Sequence, residues 1–186
     1  MSATGWIDGE PGAAVPLDDR GWMYGDGVFE RIACRDGEPC FLALHLRRLQ
    51  LGCAALGIEA PAEALLAADV RRAARAATGD CIVRLVVTRG PSRERGYAPP
   101  ADARARRVVS RHPWAGAGAN AGPIRATDSP IPAGGLPQLA GLKHLNRLEN
   151  VLARARLKES GCDEALMATR DGELVGGTMS NLFAWL

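Results

Sequence analysis

The sequence predicts an α+β protein of two domains. Alternating apolar and polar runs closed by turn pairs such as Asp8-Gly9 and Asp36-Gly37 indicate β-hairpins. Longer segments with apolar residues at helical spacing indicate amphipathic helices. A glycine- and alanine-rich stretch at 115–123 separates the two halves of the 186-residue chain. We therefore expect domains at 1–114 and 124–186, joined by a flexible linker at 115–123.

The first half is expected to form helices packed on an antiparallel sheet. The chain reverses near Asp8-Gly9 and again near Pro11-Gly12. Gly57 and Gly79 stand where two helical patterns stop, as glycine often does at a helix C-terminus. In chain order, the expected elements are strands at 28–33 and 39–42, helices at 43–56 and 62–77, and strands at 82–88 and 107–110.

The second half is expected to contain a helix, a hairpin and a last buried strand. The helix ends at Gly161 and carries one apolar face, formed by Leu145, Leu148, Leu152 and Ala155. The hairpin closes at Asp171-Gly172, with strands at Ala165–Thr169 and Glu173–Val175, and the buried strand follows at Leu182–Leu186.

Composition excludes several classes of function. The chain is 47% hydrophobic and 24% charged, with a formal net charge of +2, so nothing predicts a nucleic-acid partner. Its five cysteines form no CxxC pair and lie far from the histidines, which favours free thiols over disulfides or a metal site. Neither a leader segment nor a membrane-spanning apolar run is recognisable, so we expect a cytoplasmic protein without a membrane partner.

Lys143 is the first candidate for chemistry. The chain has only two lysines, and this one lies in an apolar run from Leu139 to Leu145. Burial disfavours the charged form of an amine, and imine chemistry requires the neutral amine as nucleophile. Lys158, next to Glu159, has the pattern of a solvated charge at a helix end. A solvated surface charge is the alternative for Lys143 as well.

Four stretches in this order resemble the fold-type IV family of pyridoxal-phosphate enzymes. They are Asp19–Gly21 with Tyr24–Glu30, His45–Leu49, Gly141–Leu148 and Gly177–Phe183. The resemblance spans essentially the whole chain. It implies an N-terminal α/β sandwich, a C-terminal pseudo-barrel domain, pyridoxal 5'-phosphate as cofactor and a homodimer. It also implies that Lys143 forms the Schiff base with the cofactor and carries protons in catalysis.

The resemblance assigns further residues to the cofactor. Arg48 matches the arginine that reaches the cofactor phosphate, where a guanidinium binds two oxygens; a charge on a helix surface is its alternative. Ser180 and Asn181 match the turn that approaches the cofactor. Leu148 matches a position near the pyridine ring, although a plain core role fits it equally well.

Within the family, the lyase branch is the most similar. Its members convert 4-amino-4-deoxychorismate, a small molecule, to 4-aminobenzoate and pyruvate in folate biosynthesis. The similarity lies in Thr88–Gly90, Arg95–Tyr97 and Lys143–Leu148. The candidate substrate contacts are Tyr97, Arg89 and Arg147, with Tyr24 and Phe29 at the pocket mouth. A D- or branched-chain amino-acid aminotransferase and a non-catalytic remnant that only dimerises or binds a ligand remain as alternatives.

The sequence departs from the family pattern in two places. Gly176 stands where the family has a glutamate that keeps the pyridine nitrogen protonated. Glu173 lies three residues earlier, so on an extended strand it faces the opposite side and substitutes poorly. Family members also continue well beyond the length of this chain, so we expect an incomplete second domain.

Overall fold

The computed structural model describes residues 4–12, 14–93, 95–116, 122–134 and 136–185. The chain forms two compact units. The first comprises Met1–Ala119 together with Leu142–Asn146, and the second comprises Asn120–Gly141 and Arg147–Leu186. Most of the expected linker, 117–121, lies outside the described residues.

This division corrects the expected domains in one respect. The five residues Leu142–Asn146 were expected in the domain at 124–186, yet they belong to the first unit. Their backbone is hydrogen-bonded to a strand of that unit, as described below for the candidate site. Periodicity along the chain does not reveal such a long-range pairing, because the pairing depends on the fold.

A six-stranded sheet with antiparallel pairing throughout its described strands forms the first unit. The strands are β1 (Thr4–Ile7), β2 (Glu10–Pro11), β3 (Gly27–Arg35), β4 (Glu38–Pro39), β5 (Cys81–Thr88) and β6 (Arg106–Pro113). Their order in the sheet is β2-β1-β6-β5-β3-β4. This confirms the antiparallel sheet expected for the first half.

Both predicted two-residue hairpin turns are confirmed. Asp8 and Gly9 have φ of 52° and 99°, and Asp36 and Gly37 have φ of 50° and 77°. Positive φ at both central residues is the turn geometry whose twist matches that of the flanking strands, and Asp-Gly suits it. The turns thereby set the register of β1 with β2 and of β3 with β4.

In the described part of the unit, three helices accompany this sheet: α1 (Arg20–Tyr24), α2 (Leu42–Ala55) and α3 (Glu63–Arg75). The core of the unit contains inward residues of β3 and β5 and the apolar faces of α2 and α3, including Ile32, Val83, Leu85, Leu46, Leu49, Leu66 and Val70. The expected strand at 39–42 is wrong beyond Pro39. Phe41 has a φ of 52°, which turns the chain out of the strand, and Leu42 begins α2.

The second unit has a three-stranded sheet and one α-helix among its described residues. Its elements are β7 (Ala126–Asp128), a 3₁₀ turn (Pro137–Leu139), α4 (Leu148–Leu157), β8 (Glu164–Ala168) and β9 (Leu174–Gly177). The strand order is β7-β8-β9, with β7 parallel and β9 antiparallel to β8. Ala133, Ala153 and Met167 form its small core.

Two expectations for this unit are wrong. Ala153 and Leu157 are the buried residues of α4, whereas Leu148 is 75% exposed and Leu152 is also exposed. Spacing alone does not show which apolar stripe of a helix meets the sheet. The expected strand at Leu182–Leu186 is absent over its described residues, and Trp185 is fully exposed. Over the described part of the chain, no helix is long and apolar enough to cross a membrane.

Candidate functional site

The segment that carries Lys143 is hydrogen-bonded to β3. The amide of Phe29 donates to the carbonyl of Lys143 at 2.9 Å, and the amide of Leu145 donates to the carbonyl of Gly27 at 3.0 Å. Val28 and His144 form an antiparallel bridge between these two bonds. The opposite edge of β3 pairs with β5 from Gly27 to Cys34. This isolated bridge and its two flanking hydrogen bonds therefore fix the backbone of Lys143.

The side chain of Lys143 lies against an aromatic ring. Its Nζ is 4.5 Å from the centroid of the Phe29 ring, and the Cζ of Arg84 is 5.1 Å from the same ring. A cation over a ring face within about 6 Å is attracted by the ring quadrupole. The structure thus brings together Lys143 and Phe29, two of the residues singled out from the sequence, and adds Arg84.

The face of the sheet that carries Phe29 is cationic. Arg31 of β3 and Arg84 of β5 are directly opposite in register, where like charges destabilise a strand pair. Burial lowers the pKa of Arg84, and the nearby charge of Arg31 lowers it further. The outward positions of β3, β5 and β6 hold no carboxylate. This arrangement suits an anionic ligand.

Sequence analysis did not single out Arg31 or Arg84. A signal for Arg84 existed, because Val83, Leu85 and Val87 alternate with it along β5. That alternation places Arg84 on the face opposite the core. The pattern does not identify Arg31 as the residue opposite Arg84, because that depends on the register of β3 with β5.

Arg48 is anchored by a buried carboxylate. Glu30, completely buried on β3, accepts from Nε and Nη2 of Arg48, each at 2.6 Å, and His45 Nδ1 lies 2.8 Å from its Oε2. Burial raises the pKa of Glu30, but the hydrogen bonds from Arg48 and His45 outweigh burial and leave it lower than usual. The Arg48 side chain is 51% exposed, so it can still meet a ligand.

The structure corrects the expectation for Arg89. This residue is buried and donates to both oxygens of Asp26, at 2.7 and 3.1 Å. It also donates to the carbonyls of Leu56 and Gly57, at 2.7 and 2.8 Å, just beyond the end of α2. All of these contacts belong to the fold of the first unit, so we do not retain Arg89 as a substrate contact.

Tyr24 and Tyr97 lie together in the first unit. Their ring centroids are 5.4 Å apart in an edge-to-face arrangement, and Tyr97 is 84% exposed. Arg20, which sequence analysis quoted only as part of a motif, donates to the carbonyls of Gly96, Tyr97 and Ala98. Asn146 Nδ2 donates to the carbonyl of Gly25 at 3.1 Å, which connects the lysine segment to the end of α1.

In the second unit, Glu164 organises the turn that follows β9. Its Oε1 accepts from the amide and the hydroxyl of Thr178, and its Oε2 accepts from the Ser180 hydroxyl at 2.8 Å. Burial raises the pKa of Glu164, but these hydrogen bonds and that of the Ala165 amide outweigh burial and hold it at about 2. Sequence analysis missed Glu164, because nothing in the pattern joins it to Thr178.

Two glycines lie at close approaches in this turn. A Cβ on Gly177 would come within 2.9 Å of the Glu164 carboxyl carbon, so only glycine fits there without a shift. Gly176 has a φ of 155°, and a Cβ there would meet the Ser180 carbonyl at 3.3 Å. Glu173 is exposed in the hairpin that precedes the turn.

For the remaining candidates of the second unit, the structure gives the position in the fold but does not test the role. Asn181 is exposed in the turn after β9, and Leu148 is the exposed first residue of α4. Arg147 precedes α4, and burial lowers its pKa although Glu149 acts in the opposite direction. Their roles at a cofactor or substrate stay predictions. The residues that the structure describes hold no cluster of three or more side chains suited to a metal ion.

Comparisons with known proteins place these features in context. The family model described as amino-transferase class IV matches residues 27–186. The aminodeoxychorismate lyase of Vibrio harveyi is 28% identical over 185 residues, which cover 96% of this chain and 66% of the relative. A bifunctional aminodeoxychorismate lyase/D-amino acid transaminase of Mycobacterium tuberculosis is 31% identical, and the match covers 95% of this chain and 64% of the relative.

A solved structure is more similar in sequence than these relatives. The 4-amino-4-deoxychorismate lyase of Pseudomonas aeruginosa is 41% identical and superimposes with a TM-score of 0.83. The superposition covers 94% of this chain and 64% of that structure. The chain therefore spans just under two thirds of the length of the relatives that it matches.

Proposed function

Because the chain belongs to the amino-transferase class IV family, we propose that it is a lyase that converts 4-amino-4-deoxychorismate to 4-aminobenzoate and pyruvate in folate biosynthesis. The fold is that of the fold-type IV enzymes, and pyridoxal phosphate is the cofactor of this family. One observation carries the proposal: Lys143, the family's reactive lysine, lies on Phe29 within a sheet face that also presents Arg84.

Within the first unit, two polar groups fit the cofactor. Lys143 offers the amine, and Arg48 offers a half-exposed guanidinium whose Nε and Nη2 are already fixed by Glu30. A guanidinium is the side chain best suited to bind a phosphate group. In the second unit, Ser180 and Asn181 are retained as proposed cofactor contacts. When bound, pyridoxal phosphate withdraws electrons from the carbon that bears the substrate nitrogen.

The proposed chemistry of this chain centres on one amine. Lys143 Nζ takes the proton from the ring carbon that bears the amino group. The bond between the ring and the enolpyruvyl oxygen then breaks, and a proton delivered to the enolpyruvyl methylene carbon completes pyruvate. The ring that remains is aromatic 4-aminobenzoate. Successive proton transfers by one group depend on its position, and the pairing of the Lys143 segment with β3 supplies that position.

The substrate has two carboxylates, so it requires positive charge. Arg31 and Arg84 supply that charge on the sheet face that carries Phe29. The exposed Tyr97, packed edge-on against Tyr24, is retained as the proposed contact with the ring of the substrate. These assignments replace Arg89, whose guanidinium is buried in contacts with Asp26 and two carbonyls.

Gly176 favours the lyase over transamination. Losing a charged hydrogen bond to the pyridine nitrogen costs about 1.5–3 kcal/mol and slows a step that depends on it by about one to two powers of ten. Elimination of pyruvate creates an aromatic ring, so that reaction has its own driving force. If Gly176→Glu lowers lyase turnover and leaves transamination unchanged, this explanation is wrong.

A D- or branched-chain amino-acid aminotransferase is the second candidate. It is favoured by the similarity to the Mycobacterium tuberculosis protein, whose name includes both a lyase and a D-amino acid transaminase activity. Parallel assays separate the two functions. One supplies 4-amino-4-deoxychorismate and measures 4-aminobenzoate, and the other supplies amino acids with 2-oxo acids and measures the new amino acid.

The decisive experiment compares the purified chain with its Lys143→Ala and Lys158→Ala variants after addition of pyridoxal phosphate. We expect a visible absorbance band and formation of 4-aminobenzoate in the wild type and in Lys158→Ala, and neither in Lys143→Ala. A wild-type chain with neither signal indicates a non-catalytic remnant. We further expect a homodimer in the cytoplasm, to be checked by light scattering and by cell fractionation.

A further inference from the structure

We propose that Arg20 is a positioning residue that holds the segment Gly96–Ala98, and with it Tyr97, in place for the ring of the substrate. This inference rests on the proposed function. The guanidinium of Arg20 donates to three successive carbonyls: its Nη1 donates to those of Gly96 and Ala98, each at 3.3 Å, and its Nη2 donates to that of Tyr97 at 2.8 Å. Convergence of three neighbouring carbonyls on one cation fixes the path of a loop that has little regular structure.

The loop needs such a fixed point. It runs from the end of β5 at Thr88 to the start of β6 at Arg106, and among its described residues only Pro91 pairs with another segment in a β-bridge. Long connections without secondary structure are uncommon in compact domains, and where they are ordered they are often functional. Arg20 is only 3% exposed, so its contacts with the loop are shielded from solvent.

Arg20 is itself rigidly held. Its Nε donates to Asp26 at 2.9 Å, and the same carboxylate accepts from Arg89. Burial raises the pKa of Asp26, but the hydrogen bonds from Arg89 and Arg20 outweigh it and leave that pKa lower than usual. The charge network therefore extends from the end of α2, through Arg89 and Asp26, to Arg20 and the loop.

The aromatic pair at the end of this network is connected to the lysine segment. The Arg20 guanidinium carbon lies 4.9 Å from the centroid of the Tyr24 ring, and Tyr97 packs edge-on against Tyr24. The next residue, Gly25, accepts a hydrogen bond from Asn146, three residues after Lys143. Two rings held in this way suit a flat cyclic substrate better than an aliphatic amino acid.

The test compares the wild type with Arg20→Lys, Arg20→Gln and the control Arg47→Gln, whose side chain is exposed on α2. The first readout is limited trypsin digestion, with cleavage after Arg95 followed by mass spectrometry under conditions where circular dichroism shows folded protein. The second is the kcat and KM of the lyase reaction. Arg20→Lys keeps the charge but loses the planar fork, so it remains informative if Arg20→Gln does not fold.

We expect cleavage after Arg95 to be about tenfold faster in Arg20→Lys than in the wild type or Arg47→Gln. We also expect KM to rise about tenfold while kcat changes little, since binding is lost equally in the ground and transition states. Equal cleavage rates in the wild type and the Arg20 variants would overturn the proposal. So would an unchanged KM. A wild type that lacks lyase activity but shows the expected cleavage difference refutes the proposed function and leaves the Arg20 contact intact.

Discussion

Lys143 and Phe29 are joined twice, through a backbone hydrogen bond of 2.9 Å and through a contact of 4.5 Å between Nζ and the ring centroid. The backbone hydrogen bond fixes the position of the Lys143 main chain, and the ring restricts the positions that its Nζ can take. A reactive amine that serves more than one proton transfer requires both restrictions, because a misplacement of about 1 Å can cost two powers of ten in rate.

Replacing the ring should therefore affect rate more than fold. Phe29 lies on the outward face of β3, so Phe29→Leu is expected to lower kcat by about tenfold while the free energy of unfolding changes by about 1 kcal/mol or less. Turnover assays and urea unfolding measure the two effects. A kcat equal to that of the wild type would show that the ring does not position Lys143.

Breaking the Glu30–Arg48 pair should affect both the fold and the cofactor. Glu30→Gln removes the buried charge that Arg48 and His45 contact, and losing hydrogen bonds to a charged group costs about 1.5–3 kcal/mol because the half-exposed Arg48 can be solvated in the variant. We also expect weaker binding of pyridoxal phosphate, measured by absorbance titration. The matched control is Glu38→Gln, whose pair with Arg75 is exposed and whose loss should cost about 1 kcal/mol or less. Equal losses of stability and of pyridoxal phosphate binding in the two variants would contradict the role of Glu30 in holding Arg48.

The stabilisation that Glu164 provides should be lost in acid. Its pKa is about 2 in the folded chain against an ordinary value of 4.5, so the unfolded state binds more protons between these values. The stabilisation is complete above pH 4.5 and is lost as the pH falls toward 2. Unfolding by denaturant at several pH values should show a shallower decline for Glu164→Gln than for the wild type. Glu173→Gln, exposed in the hairpin, serves as the control and should follow the wild-type curve.

The cationic sheet face should recognise charge. Arg84→Gln is expected to raise KM for the dianionic substrate by about tenfold, since a hydrogen bond to a charged group contributes about 1.5–3 kcal/mol. Raising the salt concentration should reduce the difference in KM between Arg84→Gln and the wild type, because salt screens partly exposed charges. Arg170→Gln, exposed in the turn before Glu173, should leave KM unchanged. An Arg84→Gln variant with the KM of the wild type would remove Arg84 from the substrate site.

The sequence was most informative where physical preferences are local. Alternation along β3 and β5, and the Asp-Gly pairs at Asp8 and Asp36, predicted the sheet and its hairpins because both signals act within a few residues. Likewise, the four motif stretches predicted the family, since each is a short run of residues that can be recognised without knowing the fold.

Long-range relationships were not predictable in the same way. Arg89 and Arg84 are five residues apart, yet their surroundings differ. Only the fold shows that Arg89 donates to Asp26 and to two carbonyls, whereas Arg84 faces outward. The apolar stripe of α4 was misassigned because Leu148 and Leu152 fit a helical repeat as well as Ala153 and Leu157 do. Which stripe is covered depends on β8, which follows later in the chain.

The membership of Leu142–Asn146 in the first unit has a consequence for synthesis of the chain. The first unit lacks its segment Leu142–Asn146 until the ribosome has passed residue 146, after the second unit has already begun at Asn120. A nascent chain that ends before this point exposes the edge of β3 at Gly27 and Phe29, which Leu145 and Lys143 later cover. The amine of Lys143 is therefore made together with the segment that covers the sheet edge, so a nascent chain that ends before this point has neither this amine nor a covered edge.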